Sequence, residues 1–237
     1  MNQTRAPREL QAIGLVCALA FAFPGLYLIW RNFTSGADPL GLLFTNQTLQ
    51  PFWRTVRLAM LVSLSAACLG TALAWLTTRT DLPFRKIWRV MLPIPLVFPT
   101  FIGAAAFIRT LNPGGLANDF FGSIGVNRTP ELRGLLGAWV VLTLFCYPYV
   151  YLPVAARLRQ LPRSFEQSAL ILGDSLPRAF RRVVLRQISG SLTAGTLLVF
   201  LYTISDFGAV QLMRYDTLTR AIETNYLARP PMAFALS

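Results

Sequence analysis

Apolar runs of membrane-spanning length recur along this chain and constrain its fold more than any other feature. Crossing a hydrocarbon core takes about 20 consecutive, mostly apolar residues. Residues 12–30, 56–76, 90–108, 134–156 and 189–213 each supply such a run. Runs of this length and apolar character read as membrane-spanning helices. The expected fold is an all-α polytopic membrane protein with about five spans and the start of a sixth at 231–237.

Composition excludes several classes of function. Hydrophobic residues make up 54% of the 237 and charged residues only 14%. The net charge of +12 would suggest nucleic acid in a soluble chain, but the arginines cluster between apolar runs, as in membrane proteins. The expected surroundings are a lipid bilayer, with no nucleic-acid partner. There is no histidine, the commonest general base and metal ligand. Cys17, Cys68 and Cys146 each lie inside an apolar run without metal-like spacing and read as packing residues. No Gly-x-x-x-x-Gly-Lys-Ser/Thr phosphate loop occurs in these residues, so any ATP hydrolysis belongs to another subunit.

In the first run, Ala18-Leu19-Ala20 resembles a signal-peptide cleavage site, but apolar sequence continues through Phe21, Phe23, Leu26 and Ile29 and favours a retained span. Residues 31–51 read as a polar loop with turn signals at Gly36, Asp38-Pro39 and Gly41. Ser63, Ser65, Ala66, Ala67 and Gly70 in the second run would let neighbouring helices approach closely. The third run holds Pro93, Pro95 and Pro99. It reads either as a kinked packing helix or as a flexible segment lining a path. Residues 109–133 form a turn-rich loop that opens with Asn112-Pro113-Gly114-Gly115.

With the N-terminus inside, thirteen of the 22 Lys and Arg residues fall on the inner side, seven of them between 157 and 186. The positive-inside rule therefore places that segment in the cytoplasm. Trp30, Trp53, Trp75 and Trp88 stand at expected span ends, where indoles prefer the interface.

Residues 157–188 form a polar, arginine-dense island between two apolar runs. Ser164 and Gln167 make a capping-box pattern, so a helix is expected from Phe165, with Phe165, Ala169 and Leu172 on one face. Gly173 suits a left-handed C-cap. Asp174-Ser175 can cap a second helix, with Pro177 in its first turn, that rises into the fifth run. A two-turn helix is not stable alone in water and must pack on something.

Phe165-Glu166-Gln167-Ser168-Ala169, Leu172-Gly173-Asp174-Ser175, Phe180-Arg181-Arg182-Val183 and Leu185 resemble the signature loop of permease subunits of binding-protein-dependent ABC importers. The family's motif is Glu-Ala-Ala, three residues, Gly, nine residues, Ile-x-Leu-Pro. Anchoring on Gly173 places Gln167-Ser168-Ala169 over the first element and Val183-Val184-Leu185-Arg186 over the last. The acid is displaced to Glu166, about 100° round the helix, and Arg186 replaces the proline.

The resemblance implies a type I ABC importer permease fold with no catalysis and no bound cofactor in this chain, ATP being held by partner ATPase subunits. It makes the loop a coupling helix that docks the ATPase through Phe165, Glu166, Gln167, Ser168, Ala169, Leu172, Gly173, Asp174 and Phe180. Apart from the resemblance, a basic loop lying against lipid headgroups remains open.

Ser205-Asp206-Phe207-Gly208-Ala209-Val210 and Arg214-Tyr215-Asp216-Thr217 are similar to fused permeases for ferric iron, and more loosely to those for sulfate, molybdate, thiamine and polyamines. This implies a single permease domain over 1–237, the incomplete first half of a fused permease in a bacterial inner membrane. Its implied partners are a periplasmic or extracellular solute-binding protein and a second permease half or copy. Ser205 and Asp206 are candidates for the substrate path. An acid within a span is by default a functional candidate. Asp206 could equally snorkel or pair with Arg214.

Overall fold

A computed structural model describes residues 8–34, 46–111 and 133–228, with no strand among them. The loop signals at 36–41 and 112–115 and the expected sixth-span start at 231–237 lie outside the described residues. The chain divides into two units, residues 1–51 with 221–237, and residues 52–220.

In the first unit, α1 (Arg8–Thr34) runs unbroken through Ala18-Leu19-Ala20 and leaves Phe21, Phe23 and Trp30 exposed. The polar stretch expected at 31–51 is shorter than anticipated. Helix persists to Thr34, and α2 (Asn46–Arg79) has begun by Asn46.

The second unit is built around α5 (Gly134–Gln160). Val141, Leu142, Val150, Val154 and Leu158 on this helix are fully buried or nearly so. Between helices in lipid the hydrophobic effect gives little drive, so close packing and hydrogen bonds must hold them. Glycine supplies the packing on two sides of α5. A Cβ on Gly70 of α2 would stand 2.9 Å from the Tyr147 carbonyl oxygen and from Val150 Cβ. A Cβ on Gly195 of α8 (Leu185–Ser205) would stand 2.9 Å from the Tyr149 carbonyl oxygen. Pro153 lacks the N–H that would bond that Tyr149 carbonyl within the helix. The Gly195 backbone thus reaches α5 at a carbonyl freed by proline.

The third apolar run is broken rather than kinked. α3 (Arg85–Met91) and a 3₁₀ turn (Ile94–Val97) are followed by α4 (Thr100–Leu111), bent by 97° from what precedes it. Phe98 is extended, as a residue before proline prefers, and Pro93, Pro95 and Pro99 deny three backbone donors. The Leu92 carbonyl, left without a helical donor, accepts the Tyr147 hydroxyl at 2.7 Å.

After α5 come α6 (Ser164–Ile171) and α7 (Leu176–Ala179). A π-helical turn at Phe180–Val184 carries α7 into α8. The run expected at 189–213 is interrupted: α8 ends at Ser205, Asp206 is extended, and α9 (Gly208–Leu212) and α10 (Leu218–Ala228) follow.

By length and composition Thr48–Arg79, Gly134–Gln160 and Phe180–Ser205 can each cross a membrane, and the bent pair adds a fourth if it is one span. Gln11–Tyr27 is a shorter apolar helix.

Candidate functional site

Three residues, 161–163, connect α5 to α6. α6 starts at Ser164 rather than Phe165, and no side chain caps it, so the expected capping box does not form. Ser164 already has helical geometry, and Arg163 occupies the capping position in an αR conformation. The glycine turn does form. Gly173 has φ +90°, its N–H bonds the Leu170 carbonyl at 3.0 Å, and the Asp174 N–H bonds the Ala169 carbonyl at 3.0 Å. These two bonds are the paired closures of a Schellman motif.

The apolar face of α6 is divided by this geometry. Ala169 is buried (7% exposed), Phe165 is half exposed, and Ile171 and Leu172 project from the helix end at 85% and 86% exposure. Gln167 and Ser168 are exposed. The Asp174 carboxylate lies 3.8 Å from Arg178 Nη1 and 3.4 Å from Arg182 Nη1. Phe180 packs edge-on against Trp75 of α2, with ring centroids 4.8 Å apart. Ser175, Arg178, Arg181 and Arg182 line an open cleft of about 540 Å³ beside this turn.

Arg79, at the end of α2, is the residue that sequence reasoning missed. It counted only as one of several positive charges next to a span. Its Nη2 donates to the carbonyls of Leu158 at 2.8 Å and Leu161 at 2.9 Å, where α5 ends. Its Nε faces Glu166 Oε1 across 3.2 Å as an ion pair, off the line of a straight hydrogen bond. The Arg79 side chain is 5% exposed. The displaced acid of the signature loop is therefore engaged within its own chain. Arg89 adds a second clamp nearby, donating to the Thr77 carbonyl from Nε at 3.3 Å and Nη2 at 3.2 Å.

Asp206 is buried at the end of α8, so it does not snorkel. Its Oδ2 accepts the Thr100 hydroxyl at 2.6 Å, and its Oδ1 accepts the Ala209 N–H at 3.0 Å in the first turn of α9. Thr100 Oγ1 also lies 3.3 Å from the Tyr202 hydroxyl. Ser205 does not join this cluster. It is exposed and its hydroxyl bonds back to the Tyr202 carbonyl at 2.9 Å. A cavity of about 170 Å³ opens beside the cluster, with Thr100, Phe145, Cys146, Tyr149 and Tyr202 in its wall. Among the described residues no three His, Cys, Asp or Glu side chains come together.

The second motif, Arg214 to Thr217, fastens the chain after α9 to α2. Arg214 has φ 54°, Tyr215 donates to the Arg54 carbonyl at 3.3 Å, and Asp216 pairs with the Arg54 side chain at 3.2 Å. Burial pushes the Tyr215 phenol above its ordinary pKa against the opposing pull of Arg57 and Arg54, so it stays a donor.

Residues 66–228 match the family described as binding-protein-dependent transport system inner membrane component. The chain is 29% identical over 223 residues to the Fe(3+)-transport system permease protein FbpB 2 of Haemophilus influenzae, covering 94% of this chain and 40% of that protein. It is 27% identical to the sulfate transport system permease protein CysT of Salmonella typhimurium, covering 69% of this chain and 58% of that protein. It is 26% identical to the sulfate permease CysW of Escherichia coli K12, covering 90% and 74%. The chain thus spans about half the length of the first two relatives. Two crystal structures share the fold. One is a bacterial ABC transporter involved in the import of alginate, with a TM-score of 0.71 at 19% identity, covering 96% of this chain and 87% of that one. The other is a bacterial alginate ABC transporter in complex with a periplasmic protein bound to an alginate pentasaccharide, with a TM-score of 0.75 at 16% identity, covering 97% and 85%.

Proposed function

Because the chain belongs to the family of binding-protein-dependent transport system inner membrane components, we propose that it supplies permease helices to an ATP-driven importer and docks the ATPase through α6. It performs no covalent chemistry. ATP binding on a separate subunit moves α6, and the helices attached to it shift between two states of a central path. The observation that carries this reading is α6 itself: a short helix closed by Gly173, with Ile171 and Leu172 projecting outward and Glu166 tied to Arg79. The loop faces the cytoplasm and the N-terminus lies on the same side, a reading supported by the excess of arginine there. On the other side a solute-binding protein delivers the substrate. The alginate transporter's periplasmic protein is a precedent for that partner in the same fold. A second permease half completes the path.

We assign ferric iron as the substrate, supported by the Haemophilus influenzae relative that aligns over 94% of this chain. Sulfate is the second reading, supported by the Escherichia coli relative that aligns over 90%. Asp206 shapes the path wall by joining Thr100 to α9, with both carboxylate oxygens engaged. Reconstituting the chain with its second half, ATPase and binding protein in liposomes tests the assignment. ATP-dependent accumulation of radiolabelled ferric iron, with sulfate at background, is the expected result. Accumulation of sulfate alone would move the substrate, and accumulation of neither would overturn both assignments.

A further inference from the structure

Building on the permease reading, we propose that Arg79 is a positioning residue that makes the coupling helix and the ends of α2 and α5 move as one body. One guanidinium reaches three elements. It belongs to α2, its Nη2 holds the carbonyls of Leu158 and Leu161 at the end of α5, and its Nε pairs with Glu166 on α6. The planar fork of arginine suits this task, since its donors point in fixed, diverging directions. The last carbonyls of a helix have no intrahelical partner and carry negative partial charge, so a cation there both satisfies them and is held by them.

The tie matters because α6 otherwise packs chiefly on α7 and the π-helical turn that follow it, not on α2 or α5. Eight residues do not make a stable helix in water. Ala169 is the single buried residue that α6 contributes. The connector at 161–163 would act as a hinge if left to itself, and a partner pulling on Ile171 and Leu172 would swing α6 without moving α5. With Arg79 in place, the pull reaches α5 through two carbonyls and α2 through its own backbone. The guanidinium is 5% exposed and the Glu166 side chain 19%, so water competes weakly for the pair. Glu166 is therefore used to hold α6 in place, and the apolar end of α6 is what the partner receives.

The experiment uses the whole transporter complex, with Cys17 and Cys68 replaced, since both are exposed. Spin labels go on Leu76→Cys in α2 and Leu170→Cys in α6, both at the surface (41% and 40% exposed). Their separation is measured by pulsed EPR without nucleotide and after trapping with ATP and vanadate. In the wild-type background the separation stays the same in both states. In Arg79→Lys and Glu166→Gln it broadens or shifts on trapping by about one helical turn, ~5 Å. ATP hydrolysed per iron imported rises roughly ten-fold, the scale of a broken coupling between sites. Glu166→Gln removes charge without changing shape and carries the test where Arg79→Lys misfolds.

A wild-type separation that already shifts, or variants that stay rigid with an unchanged ratio, would overturn the tie. A wild-type chain that retains no ATPase on purification would overturn the permease reading along with it, an outcome distinct from failure of the tie alone.

Discussion

The Thr100 hydroxyl donates a 2.6 Å hydrogen bond to Asp206 Oδ2, and this bond fastens the break before α4 to the break after α8. Two interrupted helices meet here. Gly208 allows the contact, since a Cβ on it would stand 2.8 Å from Phe101 Cβ. Non-helical backbone at membrane depth persists only where protein or a water-lined cavity satisfies it. Asp206 meets that need with its carboxylate on Thr100 and Ala209 and its carbonyl on the Thr219 hydroxyl at 3.0 Å.

Asp206→Asn and Asp206→Ala separate geometry from charge. Asparagine can accept the Ala209 N–H through its oxygen and donate to Thr100 Oγ1 through its amide, so its melting in detergent should stay within roughly 1 kcal/mol of wild type. Alanine leaves the Ala209 N–H without its acceptor and the Thr100 hydroxyl with only Tyr202, and should cost about 1–3 kcal/mol. Uptake by the asparagine variant should remain within about two-fold of wild type, a small barrier change. A large loss of uptake at normal stability would show that the negative charge itself serves the path.

Two glycines on α8 should respond oppositely to alanine. At Gly195 a Cβ would meet the α5 backbone, whereas at Gly190 there is nothing within 4 Å. Gly195→Ala should destabilise by about 1–3 kcal/mol, because neither backbone can yield without moving a helix. Gly190→Ala should be neutral or stabilise by up to about 1 kcal/mol. Thermal melting of the two variants side by side checks this, and equal responses would contradict the packing described.

The apolar runs made α2, α5 and α8 legible because helix formation there is forced by local composition. Gly173 was legible too, since a glycine after a short amphipathic segment has few other uses. Gly70 was marked by the small residues around it. The breaks were harder to read. Three prolines signalled a bend but not its size, and Asp206 marked an oddity without naming Thr100. The partners Thr100 and Asp206 are 106 residues apart, and the carbonyls held by Arg79 lie 79 and 82 residues away. No local pattern encodes such pairings. The capping box failed for a related reason: the connector from α5 is so short that Ser164 is already drawn into helical geometry.

Ile171→Asp and Leu172→Asp place charge where the chain itself buries nothing. Stability should change by no more than about 0.5 kcal/mol, as for exposed positions generally. The amount of ATPase that co-purifies should fall about ten-fold or more, the cost of burying one unpaired charge at an interface. Retention of the ATPase at wild-type levels would place its contact elsewhere on the loop.

Gly173→Ala tests the turn through its backbone alone, since a Cβ there would meet nothing within 4 Å. A residue with a side chain at φ +90° is strained by roughly 1–3 kcal/mol. The expected result is a frayed α6, faster amide exchange at position 173 and at Asp174, the two donors of the closure, and weaker ATPase retention. Unchanged exchange would mean that the Schellman closure does not organise the loop.

The most direct test of α6 as the coupling element is site-directed crosslinking at Leu172, which is 86% exposed. In a background lacking Cys17 and Cys68, Leu172→Cys is paired with single cysteines around the groove of the ATPase subunit in the assembled complex. An efficient crosslink at Leu172 is expected, with a yield that changes when ATP and vanadate are added. Ala169→Cys, buried within the chain, should give little product. An intact complex in which Leu172→Cys never reaches the ATPase, while positions outside 157–188 do, would contradict the assignment of this loop as the coupling element.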